Sequence, residues 1–224
     1  MSLLEIRNAT KKFGSRTILN AIDFDCTTGE IIGIFGRNGA GKSTLLKMIF
    51  GIVKADSLDV KFDTQPIPQN KVIHSQTIGY LPQHSFLPKD LKVRSVIPLF
   101  FSNGDRQDKV FYAPQVSSFE NIQIGKLSLG QLRYLELLLI GNLEHQFLML
   151  DEPFSMVEPL YKEVIKTLLM EIKKTKGIIL TDHYYTDVLE ITDKNYLIKQ
   201  AEIIPIFGLD DLVNNDYLQN STQT

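Results

Sequence analysis

The hydrophobic positions alternate near the start of the chain and become continuous further along it. Residues 3–9 and 16–26 alternate apolar with polar side chains, which predicts an antiparallel hairpin broken at residues 11–15. Residues 30–35 are apolar after Glu30, which is typical of a strand buried on both faces. Two later stretches have the same pattern: residues 147–150 and 177–180. The chain therefore predicts an α/β fold with a mainly parallel sheet and an N-terminal antiparallel β subdomain.

The segment between Gln83 and Leu127 is rich in Phe and Pro and lacks strand alternation. It predicts an inserted, mostly helical subdomain, which we place at about residues 84–143. Ser128 and Gln131 form an S-x-x-Q capping box before an apolar run, so a helix is expected from there through Leu143. The chain shows no internal repeat or long linker, which favours a single domain over residues 1–224.

Composition narrows the classes of function. The chain has 224 residues, of which 43% are hydrophobic and 22% charged, as in ordinary globular proteins. Its formal net charge of −2 disfavours nucleic acid as a partner. A single cysteine, Cys26, excludes a disulfide-stapled secreted module. With no signal-peptide pattern at the start and no apolar run of roughly 20 residues, the sequence predicts a cytoplasmic protein.

A glycine-rich segment follows the buried strand and precedes a predicted helix from Thr44 to Phe50. It reads Gly36-Arg37-Asn38-Gly39-Ala40-Gly41-Lys42-Ser43 and matches the phosphate-binding pattern G-x-x-x-x-G-K-[ST]. Glycines let successive amide N–H groups point inward, and the helix N-terminus adds its positive dipole end. Lys42 would bind the β and γ phosphates, and Ser43 would place its hydroxyl on Mg²⁺. The sequence thus predicts a P-loop NTPase core that binds a nucleotide through this loop and Thr44.

Two adjacent carboxylates end the strand over residues 147–150. Side chains alternate along a strand, so Asp151 and Glu152 are expected to point in different directions. We expect Asp151 to face Mg²⁺, through water, and Glu152 to orient or deprotonate an attacking water.

Five motifs in order resemble the ATP-binding cassette (ABC) ATPases across nearly the whole chain. They are FGRNGAGKST, YLPQ ending at Gln83, LSLGQ from Leu127 to Gln131, LMLDEP ending at Pro153, and TDH ending at His183. The resemblance implies an ATPase that uses ATP and Mg²⁺.

The resemblance also implies roles for residues outside the glycine-rich loop. Phe13 would stack on adenine, Gln83 would contact Mg²⁺ and the attacking water, and His183 would hydrogen-bond the γ-phosphate. Ser128, Gly130 and Gln131 would bind ATP held by a second ABC ATPase subunit. Two subunits, alike or different, would then enclose two ATP molecules head to tail.

Two positions depart from the family pattern. Leu129 stands where the signature usually has glycine, and a side chain there obstructs close approach of the backbone to phosphate. Glu158 stands where an aspartate is usual. Because Lys42, Gln83 and the other site residues are intact, we still expect a working ATPase.

The resemblance favours the ATPase subunit of a membrane transporter. Such a subunit would lie at the inner face of the membrane, bound to a transmembrane permease subunit through its helical lobe, which carries Phe86, Phe100, Phe101, Phe111 and Tyr112. The TDH motif and the terminal residues 216–218 resemble cassettes of lipid-export and amino-acid-import systems. The alternatives are a soluble ABC ATPase not coupled to transport, and an ATP-gated binding module with weak hydrolysis.

Overall fold

The computed structural model describes residues 1–218, and the strands among them form two sheets. The strands are β1 (Leu3–Phe13), β2 (Arg16–Thr27), β3 (Ile31–Phe35), β4 (Ser57–Phe62), β5 (Gln65–Pro66), β6 (Ile78–Leu81), β7 (Phe147–Asp151), β8 (Gly177–Thr181), β9 (Lys194–Lys199) and β10 (Glu202–Ile206). The helices are α1 (Lys42–Phe50), α2 (Val72–Ser75), α3 (Val93–Phe100), α4 (Gly104–Phe111), α5 (Val116–Phe119), α6 (Leu129–Gly141), α7 (Pro159–Lys173), α8 (Tyr185–Ile191) and α9 (Leu209–Asn214).

The N-terminal sheet is antiparallel, with strand order β2-β1-β4-β5. The predicted hairpin is confirmed, but the predicted break at residues 11–15 is too wide. Strand β1 continues to Phe13, which leaves Gly14 and Ser15 as the turn. Register shifts on both sides of Lys11 act as β-bulges, and they keep this polar stretch in the ladder.

The second sheet has strand order β10-β9-β3-β8-β7-β6, and all its neighbouring pairs are parallel except β10 with β9. The three strands predicted to be buried on both faces are β3, β7 and β8, and every residue in them is buried. On β3, Ile31 and Phe35 join one hydrophobic cluster while Ile32 and Ile34 join another on the opposite face. The prediction of a mainly parallel sheet with an antiparallel β subdomain is confirmed.

Residues 82–146, between β6 and β7, hold the helices α3 to α6, as the sequence predicted. Helix α6 begins with the expected capping box, in which Ser128 accepts from the Gln131 amide and the Gln131 side chain accepts from the Ser128 amide. It ends at Gly141 rather than at Leu143. Beyond it the Asn142 side chain also donates to the carbonyl of Leu138, and the Leu143 amide donates to Ile140, three residues back, so the four-residue helical pattern stops.

Strands β3, β8 and β7 lie side by side and in parallel, so their carboxyl ends meet at one edge of the sheet. The loops that follow them carry the glycine-rich segment, residues 181–183 and the acidic pair. Ligand crevices of open α/β sheets lie outside this edge. Within residues 1–218, every helix is too short or too polar to cross a bilayer.

Candidate functional site

A cavity of about 530 Å³ lies beyond the carboxyl ends of β3, β7 and β8. Its lining residues come from β1, β2, the glycine-rich loop, the start of α1, and the segments after β6, β7 and β8. They are Phe13, Ile18, Asn38, Gly39, Ala40, Gly41, Lys42, Ser43, Thr44, Gln83, Glu152 and His183. The fold thus gathers most of the predicted nucleotide-binding residues around one cavity.

The glycine-rich loop has the backbone shape that a phosphate site needs. Gly41 adopts a φ of 106°, and a Cβ at this position would lie 2.8 Å from the side chain of Ile18. Glycine is therefore required there, both for the left-handed turn and for the close packing. Helix α1 starts at Lys42, two residues before the predicted Thr44, and its N-terminus points its free amides at the cavity.

Lys42 is buried, and its ammonium donates to the carbonyl of Gly36 at 2.7 Å. Burial lowers the pKa of Lys42, and the carboxylates of Glu152, Asp151 and Asp182 oppose that shift. A buried ammonium that is bonded to a neutral carbonyl can form a stronger, charge-assisted hydrogen bond with a polyphosphate anion.

Asp151 is fully buried and its oxygens have three neighbours. Oδ1 accepts from the Ser43 hydroxyl at 2.8 Å and from Thr181 Oγ1 at 3.1 Å, while Oδ2 accepts from Tyr80 at 3.0 Å. Burial raises the pKa of Tyr80, so its phenol keeps the proton that it donates. Ser43 and Asp151, the two residues predicted to hold Mg²⁺, are thus bonded to each other, and their role toward the metal stays a prediction.

Within residues 1–218, no three His, Cys, Asp or Glu side chains cluster as they would in an all-protein metal cage. The oxygens of Ser43 and Asp151 nevertheless fit Mg²⁺, which usually binds one or two protein oxygens, phosphate and several waters. Gln83, which the sequence also assigned to the metal, donates instead to Glu152.

Glu152 follows the last residue of β7, and its carboxylate has other partners than that of Asp151. Its φ of 55° is in the left-handed region, which is uncommon for a residue with a side chain. Its Oε2 accepts from the Gln83 amide at 2.8 Å, and its Oε1 lies 3.0 Å from Nε2 of His183. Two other predicted catalytic side chains, Gln83 and His183, therefore meet at the Glu152 carboxylate.

Sequence reasoning missed Asp182, although it lies inside the TDH motif. Its carboxylate is buried and accepts from the backbone amides of Phe154 and His183, both at 2.7 Å, and of Tyr184 at 3.1 Å. Burial raises the pKa of Asp182, and the three amides oppose the rise. Asp182 therefore connects two backbone segments, the one around His183 and the loop after Glu152. An acidic residue just before a candidate histidine was the available signal.

Phe13 ends β1 at the rim of the cavity, with 55% of its surface exposed. Lys11 Nζ lies 5.0 Å from the centre of its ring. An exposed ring of this kind is available for stacking by a flat ligand.

Some predicted residues lie away from the cavity. The side chain of Arg37 donates to the backbone carbonyl of Asp216 and does not enter the site. Ser128, Gly130 and Gln131 lie at the start of α6, outside the cavity lining. A Cβ at Gly130 would collide with the carboxylate of Glu158 and with Tyr161. Their assignment to a second subunit's ATP stays a prediction.

The sequence model of a protein family described as ABC transporter matches residues 19–155, well over half of the chain. The chain is 27% identical over 229 residues to the lipopolysaccharide export system ATP-binding protein LptB of Haemophilus influenzae, covering 96% of this chain and 94% of that protein. It is 28% identical over 210 residues to the Nod factor export ATP-binding protein I of Burkholderia orbicola, covering 90% of this chain and 69% of that protein.

Solved structures have the same fold. A nucleotide-free ATP-binding cassette from an ABC transporter matches with a TM-score of 0.82 at 23% identity, covering 98% of this chain and 96% of that one. A second cassette, in its ADP conformation, matches with a TM-score of 0.81 at 24% identity, covering 96% and 94%.

Proposed function

Because the chain belongs to the ABC transporter family, we propose that it is the ATP-binding and ATP-hydrolysing subunit of a transporter. The observation that carries the proposal is that Lys42, Ser43 and Glu152 line the same cavity. We further propose that the chain, predicted as one ATPase domain over residues 1–224, of which 219–224 lie outside the described residues, carries residues 84–143 as an inserted helical lobe.

ATP would bind with its triphosphate along the glycine-rich loop and its adenine against Phe13. The amides of the loop and of the start of α1 supply donors to the phosphate oxygens. Lys42 would exchange the carbonyl of Gly36 for the β and γ phosphates. This exchange is favourable because a charge-assisted hydrogen bond is stronger than one to a neutral carbonyl.

Ser43 and Asp151 are the residues that would hold Mg²⁺, directly and through water respectively. When bound, the ion neutralises charge on the β and γ phosphates. Tyr80 and Thr181 keep the Asp151 carboxylate in place by donating to it.

Glu152 would orient the attacking water and accept its proton. In the structure both of its oxygens have partners, Gln83 and His183. We propose that these two side chains turn toward the γ-phosphate and the water when ATP binds, which frees the carboxylate. His183 would then donate to the γ-phosphate.

We propose that two ATPase subunits, identical or different, pair head to tail around two ATP molecules. The start of α6, with Ser128, Gly130 and Gln131, lies outside the chain's own cavity and would face the other subunit's γ-phosphate. Its free amides and dipole end suit an anion. Leu129, with 52% of its surface exposed, would stand at that interface.

A transmembrane permease is the proposed second partner, and it would hold the chain at the inner face of the membrane. The names of the lipopolysaccharide and Nod factor export relatives support this role. Of the aromatic residues proposed for docking, Phe86 and Tyr112 are exposed, whereas Phe101 is buried in the core. Docking would therefore depend on Phe86 and Tyr112.

Two measurements on the full chain test the proposal. Purified protein with Mg·ATP is expected to release phosphate, and the Glu152→Gln variant is expected to release almost none. Equal rates for the two proteins would contradict the catalytic role of Glu152, and little or no release from the wild type would favour an ATP-gated binding module. Co-purification of a multi-span membrane protein with the tagged chain tests the transport role, and its absence from detergent extracts would favour an uncoupled ATPase.

A further inference from the structure

Arg133 lies on α6, one helical turn from its start, and only 7% of its surface is exposed. Its guanidinium donates to four backbone carbonyls in two separate segments of the chain. The acceptors are Pro82 at 2.7 Å and Gln83 at 3.2 Å, and Asp151 at 2.9 Å and Glu152 at 3.2 Å. One side chain of the helical lobe therefore joins both segments that carry the proposed catalytic groups.

The side chains of the two joined segments also meet. Gln83 donates to Glu152 at 2.8 Å, on the cavity side of the same two backbone stretches. The position of the Gln83 side chain relative to the Glu152 side chain depends on how the carbonyls of these two segments are held. A guanidinium suits this task because its donors form a rigid planar fork, whereas an ammonium is a point charge on a flexible stem.

Among residues 1–218, the charged partner of Arg133 is Glu136, whose Oε2 lies 3.2 Å away. Only 1% of the surface of Glu136 is exposed. The other oxygen of Glu136 is the buried side-chain polar atom that has no hydrogen-bond partner in the described part of the chain. Burial raises the pKa of Glu136, and neighbouring Ser85 and Arg133 oppose the rise.

Stability alone does not account for this buried pair. Replacing a buried ion pair by apolar residues of similar volume is often neutral or stabilising, because the charges lose their hydration. The incompletely bonded Glu136 makes the pair costlier still. What an apolar pair could not do is bind four carbonyls of two segments at once.

We propose that Arg133 is a positioning residue that links the start of α6 to the backbone at Gln83 and Glu152. A displacement of α6 then moves the Glu152 carboxylate relative to the nucleotide. Glu136 holds the guanidinium at its place on the helix. The inference rests on the proposed function, in which Glu152 orients the attacking water and α6 meets a second subunit's ATP.

The test uses the double variant Arg133→Met/Glu136→Leu, which removes both charges and keeps the volume. We expect a melting temperature near that of the wild type and a Kd for a fluorescent ATP analogue within about twofold of it. The kcat for phosphate release is expected to fall by about tenfold to a hundredfold at little-changed KM, since a misplacement of about 1 Å costs up to about a hundredfold.

Arg133→Lys is the second variant, and it keeps the charge beside Glu136. We expect it to fold and to lose about as much kcat as the double variant, because a lysine cannot hold four carbonyls. The matched control is Lys176→Met. Lys176 is also a buried cation that donates to backbone carbonyls, those of Leu143 and His145, but these lie away from the cavity. It is expected to lose stability without a selective loss of kcat.

Hydrogen exchange without nucleotide provides a readout that does not depend on ATPase activity. The amides of residues 83–86 and those of Asp151, Glu152 and Phe154 are expected to exchange at least about tenfold faster in Arg133→Lys, with β7 before Asp151 unchanged. Unchanged exchange in both segments, or kcat within twofold of the wild type in Arg133→Lys, would overturn the inference. Failure of the proposed function has a different signature, since wild type and Glu152→Gln would then release phosphate equally.

Discussion

Nε2 of Gln83 lies 2.8 Å from Oε2 of Glu152, so the carboxylate assigned to the attacking water is already bonded to another side chain. His183 occupies the second oxygen of the same carboxylate. Both partners line the cavity and both come from loops, so they can turn without moving a strand. We therefore expect the Glu152 carboxylate to become available to the attacking water only after ATP has bound.

Glu152→Gln keeps the shape of the side chain and removes its ability to accept a proton. We expect phosphate release to fall by at least about a hundredfold, the usual contribution of a general base. ATP should still bind and hold two copies together, which light scattering would detect. Glu171→Gln, at an exposed carboxylate on α7, is the control. A Glu152→Gln protein that stays monomeric at saturating ATP would refute the paired-subunit proposal.

Lys42→Ala removes the buried ammonium that faces the cavity. The Kd for Mg·ATP is expected to rise by about 30-fold or more, because loss of a buried charged partner costs about 2–5 kcal/mol. Calorimetric titration measures it directly. Lys47→Ala, in the last turn of the same helix, should leave the affinity unchanged. Equal affinities of the wild type and Lys42→Ala would show that the triphosphate binds elsewhere.

Leu129→Gly restores the small residue that the family signature usually has. In a Glu152→Gln background, we expect dimers to form at lower ATP concentration, because the backbone of α6 can then come closer to phosphate. The change should cost up to about 1 kcal/mol of stability through lower helix propensity. Leu160→Gly, at an exposed leucine near the start of α7, controls for the helix effect. No change in the ATP requirement would mean that Leu129 does not obstruct the interface.

Asp182→Asn tests the carboxylate beneath His183. An amide brings one acceptor oxygen to three backbone donors, so we expect a loss of about 1–3 kcal/mol in the free energy of unfolding. Burial raises the pKa of Asp182 above its ordinary 3.8, so the folded state binds its proton more readily than the unfolded state does. The wild-type advantage is therefore largest below pH 3.8 and shrinks as the pH rises through the raised pKa.

Denaturant titrations at several pH values measure this difference. Asp211→Asn is the control, since Asp211 is half-buried rather than fully buried and its carboxylate accepts from one backbone amide, that of Phe207. A wild-type advantage that grows with pH would contradict the assigned burial effect.

Cys26 should be inert in the folded protein. Its thiol is fully buried and burial raises its pKa, so at pH 8 the thiolate fraction is smaller than in a free cysteine. A thiol reagent such as DTNB is expected to react only after unfolding, with one equivalent released. The variant Ser118→Cys, at an exposed position, should add one fast-reacting thiol. Rapid reaction of the native wild type would show that the strand carrying Cys26 opens.

The features that could be predicted from the sequence are those with a short local signal. Continuous apolar runs identified β3, β7 and β8, and the glycine-rich segment identified the loop that lines the cavity. The hairpin turn was placed too broadly because bulges around Lys11 keep polar residues in the ladder. Such bulges depend on the neighbouring strands rather than on local composition.

Arg133 and Asp182 could not be recognised in the same way. Each bonds backbone groups of residues distant in sequence. Because nearly every residue has a backbone carbonyl and amide, the sequence does not show which of these groups are bonded. Arg133 reaches Glu152, 19 positions away, and Asp182 reaches Phe154, 28 positions away. Only the strand order brings these segments together.

The strand order also determines when strand β3 can first pair during synthesis of the chain. Strand β3 pairs only with β8 and β9 in the described sheet, and β8 begins at Gly177. A ribosome that adds roughly 5–20 residues per second needs on the order of ten seconds to reach Gly177 after completing β3. During that interval Ile31–Phe35 is a bare apolar strand with both edges open, a target for chaperones and a hazard for aggregation.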